Sequence, residues 1–327
     1  MENRRVIVYG LGKRFNMLFM QDGFMNKVLN NLSYTIIGIS DRDSDNAEKY
    51  SQLTKYKFIS ADDINTGDAD FIVVTSSAYF QEIKQNLVLK GIGENSILSA
   101  SELIFDYFEL DDWNVKKGIE VGGPSSIFEP IYDKCVSCDD VNFNSNTVWW
   151  VEDKTEGYYY RGKKIGKIFI ADATDLSCIE SNKYDFLLSS NNLEHIANPI
   201  KALREFTRIV RAKGVVIVAV PNKEKTFDHN REYTSFEHIL NDYSKNIGED
   251  DLSHLKEILD NHDYSMDSNC GGKENFIKRA ERNYENRCLH QHVFCEESLK
   301  KMFQYAGLNV NIFEKVGSNY VIVGEKC

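Results

Sequence analysis

Short runs of apolar and β-branched residues alternate with helical stretches along this chain, and the alternation begins twice. In the first series Val6 to Tyr9, Thr35 to Ile39, Phe71 to Thr75 and Ser96 to Leu98 read as strands, with helical stretches through Met17 and Met20 and from Ala78 to Lys90. Strands separated by helical crossovers pair in parallel and need cover on both faces. The rhythm stops at residues 105 to 117, where aromatic and acidic residues mix ahead of Lys116-Lys117. A boundary there predicts two domains, 1–110 and 111–327, in keeping with a length of 327 residues.

The second series has the stronger phase. Gly118 to Val121, Lys134 to Cys138 (ending in Asp139-Asp140), Ile168 to Ala171 and Tyr184 to Ser189 read as strands. A helix from Pro199 to Val210 leads through Lys213-Gly214 to Val215–Val220, which Pro221 stops. A helix from Glu296 to Ala306 precedes two last strands, Asn309 to Phe313 and Tyr320 to Gly324, joined by a turn at Gly317-Ser318. So short a turn forces these two to run antiparallel, which predicts a parallel sheet with one reversed strand at its end.

Composition narrows the function. Thirty-nine Lys and Arg against 50 Asp and Glu give a net charge of -11, which repels phosphate backbones and argues against a nucleic-acid partner. The apolar runs are strand-length, far short of the roughly 20 residues of a transmembrane segment. Met1 to Arg5 lack the pattern of a signal peptide, so a cytoplasmic location is expected. Seven scattered cysteines do not form a disulfide framework and are expected to be reduced. Cys135 and Cys138 form a lone C-x-x-C with no second pair at zinc-ribbon spacing.

Four motifs follow one another in the second series: Glu120-Val121-Gly122-Gly123-Pro124, Asp139 seventeen positions after Gly122, Asp172-Ala173, and Ser189 to His195 followed by Ile196 and Asn198-Pro199. From Gly118 to Gly324 the sequence resembles a class I S-adenosylmethionine-dependent methyltransferase of the type 11-like kind. The resemblance implies an α/β fold of two Rossmann-like domains. The second would be a seven-stranded class I methyltransferase sheet with a reversed last strand and a helical cap insertion at about 222–295. It also implies S-adenosylmethionine as cofactor. Gly122 and Gly123 let the backbone approach the methionine part closely. Pro124 and Ser126 stand where the usual pattern has further glycines. Glu120 is the acidic residue before the turn, and Asp139, with Asp140 as its competitor, would accept bonds from the ribose hydroxyls. Asp172, Ala173, Ser189 and Asn191 complete the implied cofactor set. Some members of the family bind a divalent metal through Glu-x-x-Glu-His, which falls here on Asn191, Glu194 and His195. Because Asn191 replaces a carboxylate, no metal is assigned, and Glu194 and His195 are expected to cap and pack.

Between Pro221 and Gly307 lie 85 residues where the bare fold needs one helix and two connections. Phe227, Tyr233, Phe236, Ile239, Leu240 and Tyr243 supply one apolar helical face, and Leu252, Leu255, Ile258 and Leu259 another. Six of the seven histidines fall here: His229, His238, His254, His262, His290 and His292. His238 with Asp242, and Asp250 with His254, have i, i+4 spacing. A hydroxyl acceptor needs its proton removed as the new bond forms, a task suited to histidine. Asp228-His229-Asn230-Arg231, close after the fifth strand, is the first candidate, with His229 as base and Arg231 beside it. His290 and His292 come second. A phosphate or carboxylate acceptor would instead want cations such as Arg231, Arg279, Arg282 or Arg287.

Gly10-Leu11-Gly12 opens the first series, with Asp41 at the end of its second strand, but the third glycine of a dinucleotide fingerprint is absent. The first domain is similar to truncated Rossmann modules attached to enzymes of bacterial capsule and O-antigen assembly. That resemblance implies a small-molecule or lipid-linked sugar or phospho-sugar acceptor, and the domain could also serve a homodimer. Two other readings stand beside it: a nicotinamide-dependent oxidoreductase using Gly10, Gly12 and Asp41, and a non-catalytic scaffold.

Overall fold

The computed structural model describes residues 3–327 except 22, 44, 47–48, 51–53, 78, 109–111, 145–146 and 148–156. Ala78, where one helix is expected to begin, and Glu109 to Asp111, at the expected domain boundary, lie outside the described residues. The chain divides into two compact units, Met1–Asp111 and Asp112–Cys327.

The first unit holds a four-stranded parallel sheet, β1 (Arg4–Tyr9), β2 (Tyr34–Ser40), β3 (Phe71–Val74) and β4 (Ile97–Ser99), in the order β2-β1-β3-β4. Ile7, Ile72, Val74 and Ile97 alternate onto one face and pack with Leu87 of the helix Phe80–Leu89. The first crossover is irregular, a short helix Lys13–Phe15 running into a π-helical stretch Asn16–Gln21.

The second unit is built on β5 (Lys117–Val121), β6 (Ser137–Asn142), β9 (Ile168–Ile170), β10 (Tyr184–Ser190), β11 (Val210–Pro221), β12 (Leu308–Val316) and β13 (Asn319–Lys326). These seven strands form one sheet in the order β12-β13-β11-β10-β5-β6-β9. β13 runs antiparallel to both β11 and β12. The reversed strand is therefore last in the chain but lies between two others, not at the edge of the sheet. Gly118 of β5 sits where a Cβ would overlap the Phe186 ring of the neighbouring strand. Behind the sheet, the helix Pro199–Ile209 starts on Asn198, whose side chain accepts from Lys201 N, and buries Ile200, Leu203 and Phe206.

Two local features differ from the sequence reading. The second strand begins at Ser137 and not at Lys134, because Glu129–Lys134 is a helix with Pro130 in its first turn and Ile131 and Tyr132 buried. A separate hairpin, β7 (Tyr158–Tyr160) and β8 (Lys163–Gly166), turns on Arg161 and Gly162, both with positive φ.

The insertion is helical, with Phe236–Ser244, Leu255–Asn261, Lys273–Ala280 and Asn283–Asn286. Ile239 joins the main core, with Phe236, Leu240 and Tyr243 packed against it. Ile258, Phe276, Ala280, Cys288 and Leu289 make a second small core with Leu255 and Leu259, while Leu252 stays exposed. All seven cysteines are free. Among the described residues no helix is long and apolar enough to cross a membrane.

Candidate active site

The carboxyl ends of β5, β6, β9, β10 and β11 open into a cavity of about 490 Å³, within the range of roughly 300–1,000 Å³ typical of small-molecule sites. Gly122 and Gly123 form one wall and Asn142, Phe143, Asp172 and Ala173 another. Asn191, Asn192, Glu194 and His195 follow β10, and the insertion contributes Phe227, Glu249, Arg287 and His290.

The glycine turn is braced from behind. Gly122 has φ +81°, and a Cβ there would come 2.9 Å from Nδ2 of Asn192, so the backbone is bare where it faces the cavity. Gly123 N donates to Asp140 Oδ1 at 3.0 Å. Glu120 is fully buried and accepts the hydroxyls of Tyr132 and Tyr158 at 2.5 and 2.6 Å. Burial raises its pKa despite these bonds. Glu120 thus holds the turn in place and does not line the cavity.

Asp139 is misplaced by the sequence reading. β6 runs three residues past it, and its carboxylate turns away to accept Lys167 N at 2.9 Å and the Tyr184 hydroxyl at 2.7 Å. Asp140 supports the glycine turn and accepts from Nδ2 of Asn142. Neither acid lines the cavity; Asn142, the last residue of the strand, is its polar residue that does. The same alternation corrects Ser189, which is buried with its hydroxyl unpartnered among the described residues, while Ser190 on the other face of the strand and Asn191 just beyond its end reach the cavity.

On the acceptor side the insertion brings His290 to the cavity and Asp228 behind it. His290 Nδ1 lies 2.5 Å from Asp228 Oδ2, and Gln291 N donates to Glu194 O at 2.7 Å, fixing the segment. Burial opposes a charged imidazole, but Asp228 and Glu194 outweigh it and raise the His290 pKa. Asp228 is also buried, yet His290 and Arg231 pull it down to about 2. Beside them His195 bonds Leu289 O through Nδ1 at 3.0 Å, and burial lowers it to about 3, so it is neutral. Both side-chain oxygens of Glu194 lack a hydrogen-bond partner among the described residues, and burial pushes this acid up to about 7.

Three of the four residues favoured for catalysis lie elsewhere. His229 pairs with Asp263 at 2.9 Å and does not line the cavity, because its ring faces out from the turn that points Asp228 inward. Arg231 is buried as a brace, bonded to Asp228, Glu257 and the His290 carbonyl. His292 does not line the cavity and bonds Ala197 O through Nε2. The pair Asp250 and His254 is not formed either; His254 meets His238 instead. The sequence reading missed Asn142, gave Asn192 no role of its own within the Ser189 to His195 motif, and weighed Arg287 only as a cation for a phosphate or carboxylate acceptor; all three line the cavity. Arg287 spans the cavity wall, 3.0 Å from Asp172 and 3.1 Å from Glu249, with its guanidinium over Phe143.

In the first unit a cavity of about 450 Å³ lies over Gly10, Gly12 and Asp41. The Asp41 carboxylate is already taken by backbone N–H groups of Leu11 and Asp43, so it closes its own loop.

Residues 2–98 match the family described as C2185-like, N-terminal, and residues 105–311 match the family described as a methyltransferase domain. Among curated proteins none matches the chain. Similar solved structures include an S-adenosylmethionine-dependent methyltransferase from Aquifex aeolicus, at 12% identity and TM-score 0.41, covering 69% of this chain and 89% of that one. One from Mesorhizobium loti has 7% identity and TM-score 0.42, covering 69% and 98%. The Burkholderia thailandensis 1,6-didemethyltoxoflavin-N1-methyltransferase has 11% identity and TM-score 0.39, covering 69% and 76%. With well over half its length matched and a seven-stranded sheet whose last strand is reversed, the chain belongs to the methyltransferase-domain family and carries the class I fold.

Proposed function

We propose that this protein transfers a methyl group from S-adenosylmethionine to a hydroxyl of a sugar or phospho-sugar. The observation that carries this reading is the pair Asp228–His290 opening onto the same cavity as the bare glycine turn. The donor set suits the cofactor. Gly122 and Gly123 would flank its methionine part and Asn142 its ribose, while Asp172, Ala173 and Asn191 would border its adenine. Glu120 would act only by holding the turn. Asn192 Oδ1, buried and without a partner among the described residues, adds an acceptor beside the turn.

When bound, S-adenosylmethionine supplies a methyl carbon already activated by its sulfonium, so the protein's task is mainly positioning and exclusion of water. His290 would take the acceptor's hydroxyl proton at Nε2, because Nδ1 is committed to Asp228. Asp228 would hold the ring in that tautomer and stabilise the imidazolium. His229, turned out to Asp263, is not assigned a role.

A hydroxyl acceptor is favoured over a free phosphate oxygen by the state of the cations. Arg287, the cation lining the cavity among the described residues, is neutralised by Asp172 and Glu249. Arg231 is neutralised by Asp228 and Glu257. The sugar itself rests on the resemblance of the first domain to modules of glycan-assembling enzymes.

The test is incubation with S-adenosylmethionine and a panel of nucleotide-sugars, with products read by mass spectrometry. A product heavier by one methylene unit, formed by the wild type and lost in His290→Ala, supports the proposal. No product, together with calorimetric binding of NAD and not of S-adenosylmethionine, would overturn it.

A further inference from the structure

Away from the cavity, the insertion gathers a second set of side chains. His238 and Asp242 lie one turn apart on the helix Phe236–Ser244, with Nε2 and Oδ2 3.1 Å apart. His254, at the start of the helix Leu255–Asn261, brings its Nε2 to 3.2 Å from the same Nε2 of His238. His292 reaches in from the extended segment behind, its ring centroid 5.8 Å from that of His254 and 6.2 Å from that of His238. None of the four lines the cavity.

From these positions we infer that His238, Asp242, His254 and His292 form a zinc-type metal site that clamps the insertion together. Ligand atoms of His238, Asp242 and His292 all lie within 4.8 Å of one another, and Nε2 of His254, 3.2 Å from that of His238, stands beside this set and would complete it as the fourth ligand. Tetrahedral zinc with bonds of about 2.0–2.1 Å has ligand-to-ligand edges of about 3.3 Å, close to the two separations observed.

Protein-only bonding leaves the cluster short of partners. His292 is 2% exposed, and its Nδ1 has no hydrogen-bond partner among the described residues. Asp242 is 7% exposed, and among the described residues its Oδ2 has only the ion-pair contact to His238. One Nε2 of His238 cannot donate to both Asp242 and His254 at once, whereas three imidazole lone pairs and a carboxylate can converge on one cation. The other nitrogen of His292 is bonded to Ala197 O at 3.1 Å, the outer-sphere contact that orients a metal-bound imidazole. Three nitrogens and one oxygen favour zinc or another borderline metal over magnesium or calcium, which require mostly oxygen.

The position gives the clamp its use. It would tie two insertion helices to the segment that carries His290 and, through Ala197, to the loop that carries Glu194 and His195. Such a metal would be structural, since its four protein ligands leave no open position.

The test uses the full chain, stripped by a chelator and titrated with cobalt(II). The wild type should bind one equivalent with intense visible bands of tetrahedral geometry, displaced by zinc. His238→Asn and His254→Asn should lose those bands and weaken zinc binding by at least about 100-fold, beyond the effect of removing an outer-sphere partner. Both positions lie on or next to the outer surface of the insertion, and circular dichroism checks that the variants fold. His262→Asn and Glu194→Gln, in other acid and histidine clusters, should keep the bands. Absence of the bands in the wild type, or their loss only in one of these last two variants, would overturn the assignment.

Discussion

Nδ1 of His290 lies 2.5 Å from Oδ2 of Asp228, sixty-two residues earlier in the chain. The contact joins the exit of β11 to the end of the insertion, and it decides which histidine faces the cavity. Removing a positioned base costs about 10²–10⁴-fold in rate. His290→Ala should lower turnover by that factor and leave S-adenosylmethionine affinity unchanged, whereas His229→Ala should keep near-normal turnover. Single-turnover rates with calorimetry on the same samples check both, and equal losses in the two variants would break the assignment.

The glycine turn should answer to volume. Gly122 combines φ +81° with a close approach to Asn192, so Gly122→Ala is strained and partly fills the wall. Its S-adenosylmethionine affinity should fall at least about tenfold, equivalent to about 1.4 kcal/mol. Asp139→Ala should leave affinity unchanged while lowering stability through loss of the Tyr184 bond. Calorimetry and urea denaturation separate the two effects.

Glu194 links stability to pH. Burial raises its folded pKa to about 7, above the ordinary value of about 4.3 in an unfolded chain. Between these values the folded state binds more protons than the unfolded one, so stability falls as pH rises. The contribution is fully present below about pH 4 and lost by about pH 7, with a size on the order of 3 kcal/mol. Glu194→Gln should flatten that slope and be more stable than the wild type at pH 8. Urea midpoints at pH 5 and 8 measure it, and an unchanged slope would show that another group titrates.

Strand-level pattern carried most of the fold into the sequence. Val215–Val220 before Pro221 and the short turn at Gly317-Ser318 were enough to indicate the sheet and its reversed strand. The errors at the site have two physical origins. A strand alternates faces, so ending β6 three residues early assigns Asp139 to the cavity in place of Asn142. Val141, an apolar residue after two acids, is the sign that the strand continues. In the insertion, nearness in sequence to β11 favoured His229, but the turn directs Asp228 inward and His229 outward. The partner of Asp228 comes from a segment placed by tertiary packing, which no local spacing encodes. Arg161-Gly162, where the sequence reading placed no hairpin, is by contrast a turn that local sequence does encode, through the glycine.

Arg287 offers the sharpest test of how the insertion is held over the strand ends. Its guanidinium bridges Asp172, after β9, and Glu249, in the insertion. Glu249 is 8% exposed and uses its other oxygen to accept Ala197 N at 2.8 Å. Removing the cation leaves a buried carboxylate without its partner, which typically costs about 3–5 kcal/mol, whereas removing both charges costs much less. Arg287→Met should therefore destabilise the protein by roughly that amount in urea unfolding. Adding Glu249→Gln should recover most of the loss, since the amide still accepts from Ala197 and carries no charge. If the two substitutions were instead simply additive, Arg287 would not be neutralising Glu249, and the bridge would contribute no more than an exposed ion pair.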